Sequence, residues 1–406
     1  MTSAGDAPRP RVIIVGGGVA GSVVASRLAE HCEVVVLERG VDSAPIHDPT
    51  VAMKESGFST SPYPQGTGPG GGSRVNGMVF EHAPSDYWSS LVRLGLDVFA
   101  EAHAEQTSFV GELAAGDGVV DKALRATHPD SRPTMLATRN GVRLTAWDRV
   151  APAGVTLHTD VTVSHLKMRD GRAVGVVTSR GDEIGGDHVI LCAGAISSAV
   201  IAARSGGVGE EVPLLDHPGL FIPLSGEGAN SSNSTAIAYA GALLYEDGVL
   251  TMAINGGAAG PSGLLVALMT PRSSGRLLVG RDTVSIDRGF FTDASDLEAM
   301  KAGVRRAEQL LSQPSFSRLA ESAGSMLSND AWIHQVGDGV WHASGTLPMG
   351  IGSSSPLDEA GKLRGAANVW CMDASVFPVI PPVPPQASVM VVAGLLANRF
   401  LSLSTS

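Results

Sequence analysis

The residues with the plainest chemistry stand near the start of the chain. Gly16, Gly18 and Gly21 form a Gly-x-Gly-x-x-Gly pattern, and Glu38 follows Gly21 by 17 residues. Glycines at these positions allow, in turn, a tight turn, close approach of a pyrophosphate to the backbone, and close packing of helix on strand. Amides at the helix N-terminus then face the phosphates. A carboxylate ending the following strand can accept hydrogen bonds from ribose hydroxyls. The constellation reads as a dinucleotide site, and by itself it does not separate FAD from NAD.

The flanking segments have the character such a site needs. The all-apolar run Val12 to Val15 suits a strand buried on both faces, Val19 to Ala29 has a helical pattern, and Val34 to Glu38 reads as a second strand. Together they make one βαβ unit, the start of a parallel doubly wound sheet. A glycine- and proline-rich loop follows from Ser59 to Gly77, a composition suited to backbone lying close to a ligand. Residues 81 to 149 are mixed, with helical stretches expected around Leu91 to Leu113. The stretch Val155 to Ser179 alternates and turns at Arg169-Asp170-Gly171, which predicts a hairpin or a meander. His188 to Gly206 predicts strand, tight turn and helix. Short apolar runs between residues 218 and 290 predict an antiparallel sheet. Thr292 or Asp293 can cap a helix running to Leu311, and the last helix is expected from Gln386 to Leu401. No clean linker interrupts these segments, so the substrate part is expected to interrupt the nucleotide part. The expected boundaries are 10–80, 150–217 and 338–406 for the nucleotide-binding domain, and 81–149 and 218–337 for the substrate domain.

Composition narrows the function classes. The net charge of −11, with no basic cluster, excludes the surface that nucleic-acid binding requires. Cys32, Cys192 and Cys371 are an odd, unpaired set beside apolar runs, which predicts buried free thiols and a reducing cytoplasm. No His, Cys, Asp or Glu cluster has metal-ligand spacing. The glycines at 16–18 break what would otherwise resemble a secretory leader, and no membrane span is expected.

Further segments carry a resemblance. GGGSRVNGMVF (70–80), HVILCAGAISSAVIAARSGGVG (188–209), LLDHPG (214–219), PRSSGRLLVG with the helix after it, WHASGTLPMG (341–350) and NVWCMDASVFP (368–378) are similar, in order, to segments of the glucose-methanol-choline (GMC) oxidoreductase family. The resemblance covers nearly the whole chain. It implies an α/β fold in which a Rossmann-like FAD-binding domain is interrupted by a substrate domain, an antiparallel β-sheet flanked by helices. It implies FAD as the cofactor, with Gly71, Gly72, Ser73, Asn76 and Gly77 at its phosphates and flavin, Val161 near the adenine, and Asp373 and Ala374 beside the ribityl chain or flavin ring. Some members attach FAD through a histidine where this chain has Val75, so non-covalent FAD is implied.

The same resemblance carries His342 onto the family's catalytic base position, and a histidine suits the transfer of a hydroxyl proton. The partner position, usually His or Asn, holds Gln386, whose amide can orient a substrate oxygen but cannot titrate. His334 is a reserve candidate, and His217 is expected to support a turn. The implied activity is oxidation of an alcohol to a carbonyl by hydride transfer to flavin, with a small-molecule substrate and oxygen or another electron acceptor. Alternatives within the resemblance are a lyase with structural FAD and a tailoring flavoenzyme doing desaturation or another non-alcohol reaction. A non-catalytic FAD-binding scaffold is the alternative outside it. The chain is shorter than usual for the family in the substrate-facing regions. This implies a pocket that is open, or one completed by a partner or by a second copy in a homo-oligomer.

Overall fold

The computed structural model describes residues 9–42, 53–55, 63–113, 118–150, 152–224, 239–256, 261–319, 333 and 339–404. His334 lies outside them. The chain begins with β1 (Arg11–Val15), α1 (Val19–Leu28) and β2 (Glu33–Leu37). The parallel sheet is completed by β3 (Thr156–His158), and, beyond the hairpin β4 (Val163–Arg169) and β5 (Arg172–Thr178), by β6 (His188–Leu191). Helix α2 (Ala195–Arg204) follows β6 directly. The hairpin turns at Asp170 (φ +49°) and Gly171 (φ +72°), the pair of left-handed residues that a tight primed turn demands.

The second sheet is antiparallel: β7 (Gly219–Pro223), β8 (Tyr239–Glu246), β9 (Val249–Asn255) and β10 (Gly263–Leu268), with the short strand Arg132–Pro133 on its edge. Helix α3 (Ala294–Leu311) packs on one face of this sheet, and the Asp293 carboxylate caps it by accepting from the Ser295 amide at 2.8 Å. The chain returns to the parallel sheet through β11 (Val369–Cys371) and ends in α4 (Gln386–Ser404). The parallel order is β3-β2-β1-β6-β11, so the strands nearest the glycine motif sit at its centre.

Core chemistry follows the pattern of the residues. Val12, Ile13 and Ile14 are wholly buried, as a strand covered on both faces requires. Helix α4 is long and apolar enough by length and composition to cross a membrane. Its apolarity has a core explanation: Met390 to Ala393, Leu396, Ala397 and Phe400 are all fully buried, and the helix packs along α1. Between Leu91 and Leu113 the helical residues are fewer than expected, the main helix being Ser85–Arg93 with short turns to Gln106.

The three motif glycines differ in what holds them. A Cβ on Gly21 would lie 1.9 Å from the Gly16 carbonyl oxygen, and one on Gly16, which sits at φ +103°, would lie 2.5 Å from the Cys192 carbonyl oxygen. At Gly18 the nearest protein atom would be 3.8 Å away, an ordinary contact, and φ is −76°. Packing therefore demands glycine at 16 and 21 and not at 18. Gly21→Ala is expected to destabilise the apoprotein by at least about 3 kcal/mol, because backbone must move to admit the methyl group. Gly18→Ala is expected to stay within about 1 kcal/mol of wild type. Denaturant unfolding of the two variants checks the contrast, and equal losses would contradict it.

Candidate active site

One cavity of about 870 Å³ runs from the glycine motif to the antiparallel sheet, within the size range of small-molecule and cofactor sites. Gly16, Gly18, Glu38, Gly71, Gly72, Asn76, Gly77, Val161, Asp373, Ala374, His342 and Gln386 all contribute to its wall. Two expected site residues do not. Gly21 serves the packing described above. Ser73 is 1 % exposed, and its hydroxyl donates to the Gly70 carbonyl at 2.6 Å and accepts from the Ala146 amide at 2.8 Å. Its side chain holds the loop rather than facing the cavity.

The cavity's first end fits the FAD that the resemblance implies. Glu38 accepts backbone N–H groups from Gly17 (2.8 Å), Gly40 (2.8 Å) and Gly68 (3.0 Å), which fixes the carboxylate at the cavity wall. A carboxylate has about four lone-pair positions, so one remains for a ribose hydroxyl. The glycine at 18, which no packing requires, opens the start of α1 to a phosphate. Cβ atoms on Gly72 and Gly77 would likewise meet nothing within 4 Å. Asp373 is saturated: Gly194 N and Ser198 Oγ donate to Oδ2 at 2.8 and 2.6 Å, and Ser375 N and Cys371 Sγ donate to Oδ1 at 2.9 and 3.4 Å. It binds the start of α2 to its own turn, leaving backbone to line the cavity there.

At the other end stands His342. Its Nδ1 lies 2.9 Å from Nδ1 of His217, the two rings meeting edge to face at 88°. Asp216 braces both residues, Oδ1 accepting the His217 amide at 2.8 Å and the His342 amide at 2.7 Å. The Tyr63 hydroxyl donates to Asp216 Oδ2 at 2.9 Å and accepts from the Ala343 amide at 2.9 Å. Burial pushes the Asp216 carboxyl up to about 6. Sequence reasoning placed His217 in a turn; the fold makes it the direct neighbour of His342, across a separation of 125 residues that no spacing rule covers.

Burial also sets the charge of the pair. It pushes the His342 imidazole down to about 3, and burial together with His342 holds His217 well below the ordinary histidine range. Both rings are therefore neutral near pH 7. The Met269 and Pro381 carbonyls act on the His217 ring and favour a proton there, although Nε2 makes no hydrogen bond of full geometry. One proton is shared at the Nδ1···Nδ1 contact, and in the tautomer where His342 donates it the lone pair of His342 is on Nε2, the nitrogen free of the dyad, as a proton acceptor needs.

Gln386 opens α4 and is 7 % exposed. Its Oε1 accepts from Nδ2 of Asn76, while its buried Nε2 has no partner among the described residues. The remaining wall at this end is apolar: Leu250, Met252 and Ile254 of β9, Leu265 and Ala267 of β10, Phe221, Met269 and Val340. The alternating residues of β9 and β10, Val249, Ala253, Leu264 and Val266, pack against α3 instead. Both faces of the sheet are thus apolar, and one of them roofs the cavity. Trp341, in left-handed backbone at φ +58° and 47 % exposed, stands at the wall beside His342.

Similarity to known proteins agrees with this arrangement. The family model described as GMC oxidoreductase matches residues 271–393, which include His342 and Gln386. A 5-(hydroxymethyl)furfural oxidase of Methylovorus sp. (strain MP688) is 27 % identical over 523 aligned positions, covering 96 % of this chain and 98 % of the relative. An oxygen-dependent choline dehydrogenase of Chromohalobacter salexigens is 24 % identical, with 95 % of this chain and 93 % of the relative covered. Alignments longer than the 406 residues of the chain mean that the relatives carry additional segments. The crystal structure of pyridoxine 4-oxidase from Mesorbium loti superimposes with a TM-score of 0.83 at 19 % identity, over 97 % of this chain and 99 % of that one, and shows the shared fold. With the nucleotide cleft, the histidine at its far end and these likenesses together, the chain is an FAD-dependent oxidoreductase, similar over nearly its whole length to members of the GMC oxidoreductase family and matching that family's model at residues 271–393.

Proposed function

We propose that the protein oxidises an uncharged alcohol with an apolar body to the corresponding carbonyl compound. The observation that carries this reading is the composition of the inner cavity. A neutral histidine with a free Nε2 and an unpartnered amide N–H occupy a wall that is otherwise aliphatic and aromatic among the described residues. That pair matches the two needs of one hydroxyl oxygen, a group to take its proton and a group to stabilise the charge left behind.

Gly16, Gly18, Glu38, Gly71, Gly72, Gly77 and Val161 would hold FAD. The cofactor supplies, when bound, the acceptor for the hydride that leaves the carbinol carbon with its electron pair. The chain does the rest. His342 Nε2 receives the hydroxyl proton. As the hydride departs the oxygen becomes strongly acidic, so a weak base suffices and the depressed basicity of His342 is compatible with the task. Gln386 orients the oxygen, and the apolar roof excludes water from it. A cationic substrate finds no carboxylate among the described residues lining this end, since Asp216 is buried behind the histidines and Glu38 and Asp373 belong to the cofactor end. Val75, at the wall, has no nucleophile to form a bond to the flavin, so FAD is held non-covalently.

Three outcomes are expected. Anaerobic mixing of the FAD-loaded protein with a panel of aliphatic and arylalkyl alcohols should bleach the flavin absorbance. His342→Ala should slow the bleaching by a factor of 10² or more, the scale of a lost general base; carbonyl product without bleaching would instead mark a lyase. Because His342 is neutral above about pH 3, kcat/KM should stay flat from pH 5 to 8 in an Asp216→Asn variant, which removes the neighbouring carboxyl that titrates at about 6. Below its pKa the protonated ring could not accept the hydroxyl proton, so any loss belongs to more acidic solution. An acid limb centred near pH 6.5 would contradict the buried, neutral ring. Finally, Gly18→Ala, which the fold tolerates, should weaken FAD uptake at least tenfold in equilibrium titration of apoprotein with FAD, and unchanged uptake would remove the phosphate from this loop.

A further inference from the structure

We infer that Gln386 presents its N–H, and not its carbonyl, to the substrate oxygen, and that Asn76 and Arg143 are the positioning residues that set this polarity. The inference rests on the reading above, in which that oxygen lies between His342 and Gln386.

The direction of the amide follows from two groups that can only donate. The Met78 backbone N–H and the Arg143 guanidinium Nη1 both lie 3.1 Å from the same atom of the Asn76 side chain. An atom that receives two obligate donors is an oxygen, so the Asn76 orientation does not depend on how its amide is drawn. The other end of Asn76 is then Nδ2, a donor, and the atom of Gln386 it meets has to be the acceptor Oε1. What remains of Gln386 is Nε2, buried at the cavity wall with no partner among the described residues. A buried N–H without an acceptor is costly, which makes this a place prepared for an acceptor that arrives with a ligand.

Both ends of the relay are held. Met78 lies in left-handed backbone at φ +61°, and its carbonyl is tied to the Ala137 amide at 2.7 Å. Arg143 is 5 % exposed and also donates to the Ser73 carbonyl at 3.0 Å. Burial lowers its pKa to about 10, so it stays cationic at neutral pH. A fixed cation thus begins a chain of hydrogen bonds, Arg143 to Asn76 to Gln386, that ends on the oxygen where negative charge gathers as the proton leaves for His342. Chains of this kind polarise one another in the same sense. An alcohol complements the resulting pair, since its one O–H donates to His342 Nε2 while its oxygen accepts from Gln386.

Asn76→Asp inverts the arrangement. Both carboxylate oxygens only accept, so Gln386 has to turn its N–H toward residue 76 and its carbonyl toward the cavity. An alcohol then faces two acceptors with one proton, whereas a neutral primary amine has two N–H groups for them. FAD-loaded protein is titrated anaerobically with 2,2,2-trifluoroethanol and with 2,2,2-trifluoroethylamine, at a pH where the amine is neutral, following the flavin absorbance. For Asn76→Asp the ratio of the alcohol's Kd to the amine's Kd is expected to rise about tenfold, the loss of one hydrogen bond. Arg143→Met should move the ratio the same way by a smaller factor, and Arg143→Lys, which keeps a cationic donor, should leave it within about twofold. Should Asn76→Asp not load FAD, the two Arg143 variants decide. A merely structural role weakens both probes alike, so an unmoved ratio overturns the inference and leaves the alcohol reading standing. A wild-type protein that binds neither probe, and that no alcohol reduces, removes both.

Discussion

The site depends on two stretches of backbone approaching more closely than side chains would allow. Gly71, at φ +51°, lies so near Gly18 that a Cβ on it would come within 2.8 Å of the Gly18 Cα, and the Gly70 amide donates to the Gly17 carbonyl at 2.8 Å. This contact joins the turn after β1 to the short 3₁₀ segment Gly71–Arg74, and two residues beyond that segment is Asn76. One backbone approach therefore fixes the cleft that receives phosphates and also the start of the hydrogen bonds that reach Gln386. A side chain at 71 would separate the loops and detune both ends at once.

The second constraint is the double apolarity of the antiparallel sheet. A sheet of this kind ordinarily turns one face to water and alternates in polarity. Here β9 and β10 give one set of residues to α3 and the other to the cavity, and the closeness of α3 is secured by Gly303, where a Cβ would fall 2.7 Å from Val249. The roof that excludes water is also what keeps His342 uncharged, because desolvation is the whole cause of its depressed pKa. Shape and protonation state thus have a single origin in the burial of that wall.

What the sequence disclosed follows the range of the interactions. The βαβ unit, the Asp170-Gly171 turn and the capped helix at 294–311 were legible because glycines, caps and hydrophobic periods act within a few residues. Glu38 was legible because its place at the strand end is local, although its three backbone partners were not. Residues 81–150 resisted because they form short helices and two-residue strands, too brief for any period to show. The contacts that organise the chemistry were out of reach for another reason. Arg143 meets Asn76 across 67 residues and His217 meets His342 across 125, and neither pair obeys a spacing rule. The role of the Ser73 hydroxyl was out of reach on similar grounds, since a serine in a glycine-rich loop looks the same whether its hydroxyl turns outward or braces the loop against Ala146.

The pairing of His342 with Gln386 gains its sense from the buried dyad. A second titratable group at 386 would share the small apolar space with two histidines that burial already holds neutral. If it gained a proton it would add charge where desolvation disfavours charge, and its protonation would compete with that of His342. An amide avoids this competition. Its N–H stays a donor at every pH, its direction is set by Asn76 instead of by solvent, and among the described residues at this end the proposed proton transfer then changes the charge of His342 alone. The extra methylene of glutamine over asparagine then has a structural counterpart. It lets the amide oxygen reach Asn76 from the first turn of α4 while the nitrogen remains at the cavity wall.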